Sequence, residues 1–181
     1  MEFNSERLTF REFNQKDFTL FSSVFTNEQV MKYALFDRFT DEEELKLYFQ
    51  QILKNNTTEK YRKAYEFAVF KSSNNSFIGI GDIEMNYQNQ IAVSGEMGYF
   101  LLPDFWGNGY ATEIGDFLIN FSFTNLKLHR VTASCNSNNK PSERVMQKLG
   151  MAKEGEFRKA RFKNGKWDNE FRYAILAEEW K

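Results

Sequence analysis

The stretch that decides the fold is residues 102–113, Leu-Pro-Asp-Phe-Trp-Gly-Asn-Gly-Tyr-Ala-Thr-Glu. It follows a segment typical of a strand and precedes a helix whose apolar face contains Ile114, Phe117, Leu118 and Phe121. Gly107 and Gly109 allow the backbone to approach a ligand closely. The first turn of the helix offers unpaired N–H groups and the positive end of the helix dipole. Together these features predict an anion site for a phosphate or pyrophosphate.

Two common nucleotide-binding motifs do not fit this loop. A dinucleotide fingerprint requires glycine where Thr112 stands, and a P-loop requires Gly-Lys-Ser or Gly-Lys-Thr, which does not follow Gly109. ATP and GTP hydrolysis are therefore disfavoured. A tight strand-to-helix turn that binds nothing is the alternative interpretation of the two glycines.

Strands and helices are predicted on both sides of the loop. Alternating, β-branched and aromatic patterns predict strands at 7–13, 65–71, 77–87, 92–102 and 128–135, then two final strands joined at Asn164-Gly165. Helices are predicted after Asn14, after a Thr40/Glu43 capping box, near 110–124 and near 141–149. This pattern indicates the α+β class, with a mixed, mostly antiparallel twisted sheet flanked by helices.

Composition limits the functions that this chain can have. Its 181 residues suit a single domain spanning 1–181, and 24 basic against 25 acidic residues argue against general nucleic-acid binding. One cysteine, Cys135, and one histidine, His129, cannot build an internal disulfide or a polyhistidine zinc site. No signal-peptide pattern is present, and no apolar run reaches the roughly 18 residues of a membrane span. We therefore expect a cytoplasmic protein without a metal or membrane association.

Five motifs follow one another along the chain. They are Glu6-Arg7-Leu8-Thr9-Phe10-Arg11, Gly95-Glu96-Met97-Gly98-Tyr99, residues 106–113, Asn139-Lys140-Pro141-Ser142 and Lys148-Leu149-Gly150-Met151. In order and spacing they resemble the GNAT superfamily of N-acetyltransferases, in the branch that includes the ribosomal-protein N-terminal acetyltransferases. The resemblance implies the GNAT fold and acetyl transfer from acetyl-CoA to a primary amine, by direct attack in a ternary complex.

The resemblance also implies where acetyl-CoA binds. In that family the loop holds the pyrophosphate through backbone N–H groups, and the strand before it holds the pantetheine arm through an unpaired edge. The cofactor-binding residues implied here are Tyr99, Phe100, Leu101, Leu102, Trp106, Gly107, Asn108, Gly109, Tyr110, Ala111, Thr112, Asn139 and Ser142.

Acetyl transfer to an amine requires a base, because the attacking amine must be neutral. On a strand, Glu96 points away from Met97 and Tyr99, and its neighbours Gly95 and Gly98 are expected to leave room for water or substrate. Glu96 is therefore the candidate catalytic base, directly or through a water. The alternative is an exposed strand carboxylate that pairs with a basic side chain.

The leaving thiolate requires a proton or a hydrogen bond. Many GNAT enzymes supply it from a tyrosine on the helix before the Lys-Leu-Gly motif, but Met146 occupies that position here. Ser142, or a water held by Asn139 and Ser142, is therefore the candidate catalytic group. Helix capping by either residue is the alternative explanation.

The acceptor is not decided by the sequence. The branch resemblance favours a protein N-terminal α-amine, and the alternative is a small amine such as a polyamine, amino acid, amino sugar or antibiotic. The resemblance also implies an aromatic acceptor wall around 31–33 and Phe36. A weakly catalytic CoA-sensing module and a plain interaction domain are the other classes considered. The expected partners are acetyl-CoA and the amine acceptor, with the chain as a monomer or homodimer.

Overall fold

The computed structural model describes all 181 residues and contains one eight-stranded sheet. The strands are β1 (Glu2–Asn4), β2 (Leu8–Glu12), β3 (Ala64–Lys71), β4 (Phe77–Gln88), β5 (Ile91–Leu101), β6 (Arg130–Asn136), β7 (Ala152–Lys163) and β8 (Lys166–Leu176). The helices are α1 (Phe18–Phe25), α2 (Glu28–Met31), α3 (Glu42–Asn56), α4 (Tyr110–Thr124) and α5 (Lys140–Lys148). The predicted α+β class is confirmed.

The strand order is β1-β2-β3-β4-β5-β6-β8-β7, and every neighbouring pair is antiparallel except β5 with β6. The parallel pairing is short: it joins residues 94–96 of β5 to residues 130–132 of β6. Beyond Glu96 and Thr132 the two strands continue without pairing to each other. The sheet therefore opens into a gap between residues 97–101 and residues 133–136.

Helices cover both sides of the sheet, and each side has its own apolar core. On the side covered by α4 and α5, called the α4 face, the core includes Leu8, Phe10, Phe67, Ile83, Ile114 and Leu118. On the side covered by α1 to α3, called the α3 face, it includes Phe21, Phe25, Phe49, Ala68 and Ile80. Many of the twenty phenylalanines pack in these cores, for example Phe21 against Phe49 at 5.0 Å between ring centroids.

Helices α4 and α5 meet at a glycine. A Cβ atom at Gly115 of α4 would lie 2.4 Å from Cδ1 of Leu149, which follows α5 directly. Because such a distance is too short for two carbon atoms, a side chain at position 115 would displace Leu149. Helix α4 packs mainly on β4 and β5, whereas α5 packs on β6.

Local signals in the sequence predict most boundaries correctly. Asn14 caps the first helical turn with a complete capping box, and Asn164 and Gly165 take the positive φ values, 50° and 74°, expected for the β7–β8 turn. The predicted Thr40/Glu43 capping box is wrong, because the Asp41 side chain accepts from the Glu43 and Glu44 N–H groups and begins α3. Strand β1 was not predicted.

None of the helices combines the length and hydrophobicity needed to span a membrane.

Candidate functional site

The loop between β5 and α4 takes the backbone shape that its two glycines allow. Gly107 and Gly109 have φ values of 77° and 79°, a region that side-chain-bearing residues rarely adopt. Around Gly107 there is open space, since a Cβ atom there would meet nothing within 4 Å. The Trp106 indole N–H donates to the Leu101 carbonyl at 2.8 Å and fixes the loop to the end of β5.

The loop presents a run of free backbone donors. The N–H groups of residues 107–111 donate to no acceptor in the protein, whereas the Thr112 N–H donates to the Gly109 carbonyl at 3.1 Å. Five consecutive unpaired amides at the start of a fifteen-residue helix are the donors that an anion site requires. The prediction that Thr112 also offers its N–H is wrong, because that group already closes the first turn of α4.

An ion pair that the sequence did not reveal fixes this loop. Arg7 Nε donates to Glu113 Oε2 at 2.7 Å, and Arg7 Nη1 donates to the Asn108 carbonyl at 3.1 Å. The Ser5 hydroxyl also donates to Glu113, at 2.6 Å. Although burial alone would raise the pKa of Glu113, hydrogen bonds from Ser5 and Arg7 hold it below its ordinary value. The chain before β2 thus supports the first turn of α4.

The gap in the sheet borders the residues of β5 that directly precede the loop. Tyr99 and Leu101 direct their side chains to the α4 face, while Phe100 and Leu102 pack on the α3 face. Across the gap, the Tyr99 hydroxyl lies 2.9 Å from the Ser142 hydroxyl at the start of α5. The structure therefore brings the predicted strand, loop and α5 residues around one opening.

Both explanations considered for Asn139 and Ser142 have structural counterparts. The Asn139 side chain caps α5 by accepting from the Ser142 N–H at 3.3 Å. The Ser142 hydroxyl is not used in that cap and contacts Tyr99 instead. Met146 is buried in the α4-face core, so it lines no opening. Burial raises the pKa of Tyr99 to about 12, which keeps its hydroxyl protonated at neutral pH.

Glu96 is the last residue of β5 to pair with β6, and its side chain is exposed on the α3 face, on the opposite side of the strand from Tyr99. The expectation that Gly95 and Gly98 leave space beside it is wrong. A Cβ at Gly95 would lie 2.7 Å from Ile83, and one at Gly98 would lie 2.7 Å from the Asp82 carboxylate.

Glu96 belongs to a group of four carboxylates on the α3 face, called here the carboxylate row: Glu66, Asp82, Glu84 and Glu96. Strand register places Glu66 beside Asp82 and Glu84 beside Glu96. None of the four takes part in an ion pair. Withdrawal from water and the charges of the other three raise the pKa of Asp82. No residue spacing in the sequence reveals this group, because strand pairing assembles it.

Two cavities lie on the same side of the molecule. One, of about 660 Å³, is called the α3 cleft and is lined by residues of α3, β3, β4 and the loops around them, including Tyr48, Tyr61, Glu66, Glu84, Met85 and Tyr87. The other, of about 330 Å³, is lined by residues 34–37, by Asn136 and by the β7–β8 hairpin. Phe36, predicted as an acceptor wall, borders this second cavity and packs 6.0 Å from Phe100.

Lys163 joins the hairpin to the segment after α2. Its ammonium donates to the carbonyls of Met31, Ala34 and Phe36 at 2.7 to 3.0 Å. Burial lowers the pKa of Lys163. This contact fixes one wall of the second cavity.

Two further kinds of site were considered, a reactive cysteine and a metal site. Cys135 is buried in the α4-face core, and burial raises its pKa to about 11, so it is not a reactive thiolate. No three of the His, Cys, Asp and Glu side chains converge closely enough to hold a metal ion.

A family model and a full-length relative both match this chain and point to the same family. A family model described as "Acetyltransferase (GNAT) domain" matches residues 7–152. An uncharacterized N-acetyltransferase of Bacillus subtilis (strain 168), YnaD, is 33% identical over 180 residues, which is 99% of this chain and 99% of the relative.

Solved structures agree with this match. A GNAT-family acetyltransferase from Bacillus anthracis is 32% identical, has a TM-score of 0.81 and covers 99% of this chain and 100% of its own. A spermidine N-acetyltransferase from Vibrio cholerae, solved with CoA and spermine, has a TM-score of 0.84 at 22% identity and covers 97% and 98% of the two chains. A ribosomal-protein-S5-alanine acetyltransferase from Vibrio fischeri has a TM-score of 0.83, also at 22% identity, covering 100% and 99%. The last two show likeness of fold.

Proposed function

Because this chain belongs to the GNAT acetyltransferase family, we propose that it transfers acetyl from acetyl-CoA to a primary amine by direct attack in a ternary complex. The chain is an N-acetyltransferase of the GNAT type, as its motifs predicted. The observation that carries the proposal is the run of five free amides at residues 107–111, next to the gap between β5 and β6.

The residues around the gap fit acetyl-CoA. The free amides and the dipole of α4 suit a pyrophosphate, and Arg7, half exposed beside the loop, adds a positive charge. Residues 99–102 border the unpaired edge of β5, which suits the amide groups of a pantetheine arm. Asn139 and Ser142 border the opposite side of the gap. Acetyl-CoA supplies the thioester that the amine attacks.

Glu96 and Ser142 have complementary roles in this proposal. Glu96, on the α3 face at the closed end of the gap, accepts the amine proton directly or through a water. Ser142, on the other side, donates a hydrogen bond to the departing thiolate. Tyr99 stays protonated and so can donate to the Ser142 hydroxyl in turn. The protein forms no covalent intermediate.

Two acceptor classes are supported by different observations. The branch resemblance and the likeness to a ribosomal-protein-S5-alanine acetyltransferase support a protein N-terminal α-amine. The carboxylate row supports a small cationic amine, as does the likeness to a spermidine N-acetyltransferase solved with spermine. Glu84 and Glu96 are exposed members of this row, and exposed unpaired carboxylates attract an amine that carries positive charge.

The test combines calorimetry with a panel of amines. We expect acetyl-CoA to bind the purified protein and to release CoA only when an amine is added. The panel contains polyamines, amino acids, amino sugars, aminoglycosides and peptides with free N-termini, with the same peptides N-acetylated as controls. Binding without amine-dependent CoA release would support the CoA-sensing module instead. Failure of acetyl-CoA to bind would remove both proposals.

We also propose that residues 1–181 act as one domain, as a monomer or homodimer in the cytoplasm. The sheet that extends from Glu2 to Leu176 supports one domain, and a single unpaired cysteine, Cys135, suits a reducing compartment.

A further inference from the structure

We propose that the α3 cleft binds a second, protonated primary amine of the acceptor, and that the acceptor therefore carries at least two amines. This inference rests on the proposed function, because the first amine is the one acetylated beside Glu96. It assigns a binding role to Glu66, Glu84 and the tyrosines around them.

Glu66 provides the first argument. Its side chain is 9% exposed and lines the α3 cleft, and its Oε2 atom has no hydrogen-bond partner. A buried carboxylate oxygen without a partner costs free energy, so such groups are rare unless a ligand satisfies them. An ammonium group carries the three donors and the positive charge that this oxygen lacks.

The cations near Glu66 form no ion pair with it. Arg62 is buried but is already engaged, with Nη1 2.6 Å from Glu12, Nη2 2.8 Å from Asn56 and Nε 2.7 Å from the Ala64 carbonyl. Lys63 is exposed and lines the cleft, but forms no ion pair with the carboxylate row. The row therefore has no cation of the protein paired with it.

The walls of the cleft suit an alkylammonium ion. Tyr48, Tyr61 and Tyr87 contribute aromatic rings, and Ile52 and Met85 contribute apolar surface. Aromatic faces attract ammonium groups, and apolar side chains pack against methylene groups. Tyr61 and Tyr87 are held in place, with hydroxyls donating to Gln90 and to the Arg62 carbonyl.

The cleft also lies at the right distance from the candidate base. Glu84 lines the cleft and pairs directly with Glu96 across β4 and β5. With strands about 4.8 Å apart and a rise of about 3.4 Å per residue, the Glu66 and Glu96 backbones are roughly 12 Å apart. An extended acceptor with its amines at about that separation, or closer to reach Glu84, connects the two positions.

The experiment compares diamines with monoamines by direct binding. 1,4-Diaminobutane, 1,6-diaminohexane and 1,8-diaminooctane, each paired with the monoamine of the same carbon number, are titrated calorimetrically into the protein with and without CoA. We expect the best diamine to bind about tenfold more tightly than its monoamine. In Glu66→Gln this ratio falls toward one, while in the control Glu178→Gln, an exposed carboxylate near the C-terminus, it stays at the wild-type value.

Equal affinity for diamines and monoamines in the wild-type protein would overturn the inference, as would a ratio that survives in Glu66→Gln. Glu84→Gln provides the same comparison if Glu66→Gln does not fold. Failure of the proposed function is distinguished by a different result, the absence of acetyl-CoA-dependent CoA release with every amine. The binding ratio requires no turnover.

Discussion

The burial of the Glu66 carboxyl group leads to a quantitative prediction about the free energy of unfolding. The variant is Glu66→Gln, whose side chain has the shape of a protonated glutamate and cannot ionise. Burial raises the pKa of Glu66 from an ordinary value of 4.5 to about 7, partly offset by Arg62. At about 1.4 kcal/mol for each pKa unit, ionisation of Glu66 destabilises the folded chain by about 3 kcal/mol.

The direction of the pH effect on stability follows from the number of protons that the folded and unfolded chains bind. Between about pH 4.5 and pH 7 the folded chain holds a proton on Glu66 that the unfolded chain has lost, so stability falls as the pH rises. Above about pH 7 both states are ionised and the effect is constant. From pH 5 to pH 8 we therefore expect wild type to lose roughly 2 to 3 kcal/mol relative to Glu66→Gln.

The assay is urea unfolding followed by tryptophan fluorescence at pH 5, 6, 7 and 8, at constant ionic strength. The other charged and titratable groups that face Glu66 are the same in both proteins, so the difference isolates Glu66 and its effect on them; these groups are Glu12, Tyr48, Arg62, Lys63, Asp82 and Glu84. Glu178→Gln should run parallel to wild type. Parallel curves for Glu66→Gln and wild type would refute the argument that the carboxylate is ionised at a cost.

The remaining predictions concern catalysis and acetyl-CoA binding. Glu96→Gln should lower turnover by about 100-fold or more and shift its pH dependence, with acetyl-CoA affinity nearly unchanged in calorimetry; unaltered turnover would remove Glu96 from the mechanism. Ser142→Ala should reduce turnover without lowering the melting temperature, because the cap acceptor is Asn139; a purely thermal effect would leave Ser142 only a structural role. Gly109→Ala should weaken acetyl-CoA binding about tenfold, because a side chain at φ 79° costs about 1 to 2 kcal/mol. Gly165→Ala, with φ 74° in the distant β7–β8 turn, is the matched control and should lower stability only.

Features set by neighbouring residues could be predicted from the sequence. The glycine loop, the Asn14 cap and the Asn164-Gly165 turn each depend on a few consecutive residues, and the structure has all three. The start of α3 was placed one residue early because Thr40 and Asp41 are both good caps, and the sequence does not rank them.

Features set by long-range pairing could not be predicted. The Arg7–Glu113 pair joins residues 106 positions apart, so no local spacing reveals it. The carboxylate row depends on the registers of β3 with β4 and of β4 with β5, and a one-residue slip would send its members to the other face. Because glycine has no side chain, Gly95 and Gly98 suggested open space beside Glu96. Side chains from neighbouring strands fill that space.

The short parallel pairing has a mechanical consequence. Three residue pairs join the five strands β1 to β5 to the three strands β6, β8 and β7. On the α4 face, Gly115 allows α4 to pack closely against Leu149. The contact between α4 and Leu149 therefore joins the two parts of the sheet outside the gap. We expect a larger residue at position 115 to displace Leu149, and so to disturb the packing of α5 on α4 from a position outside the residues proposed to bind substrate.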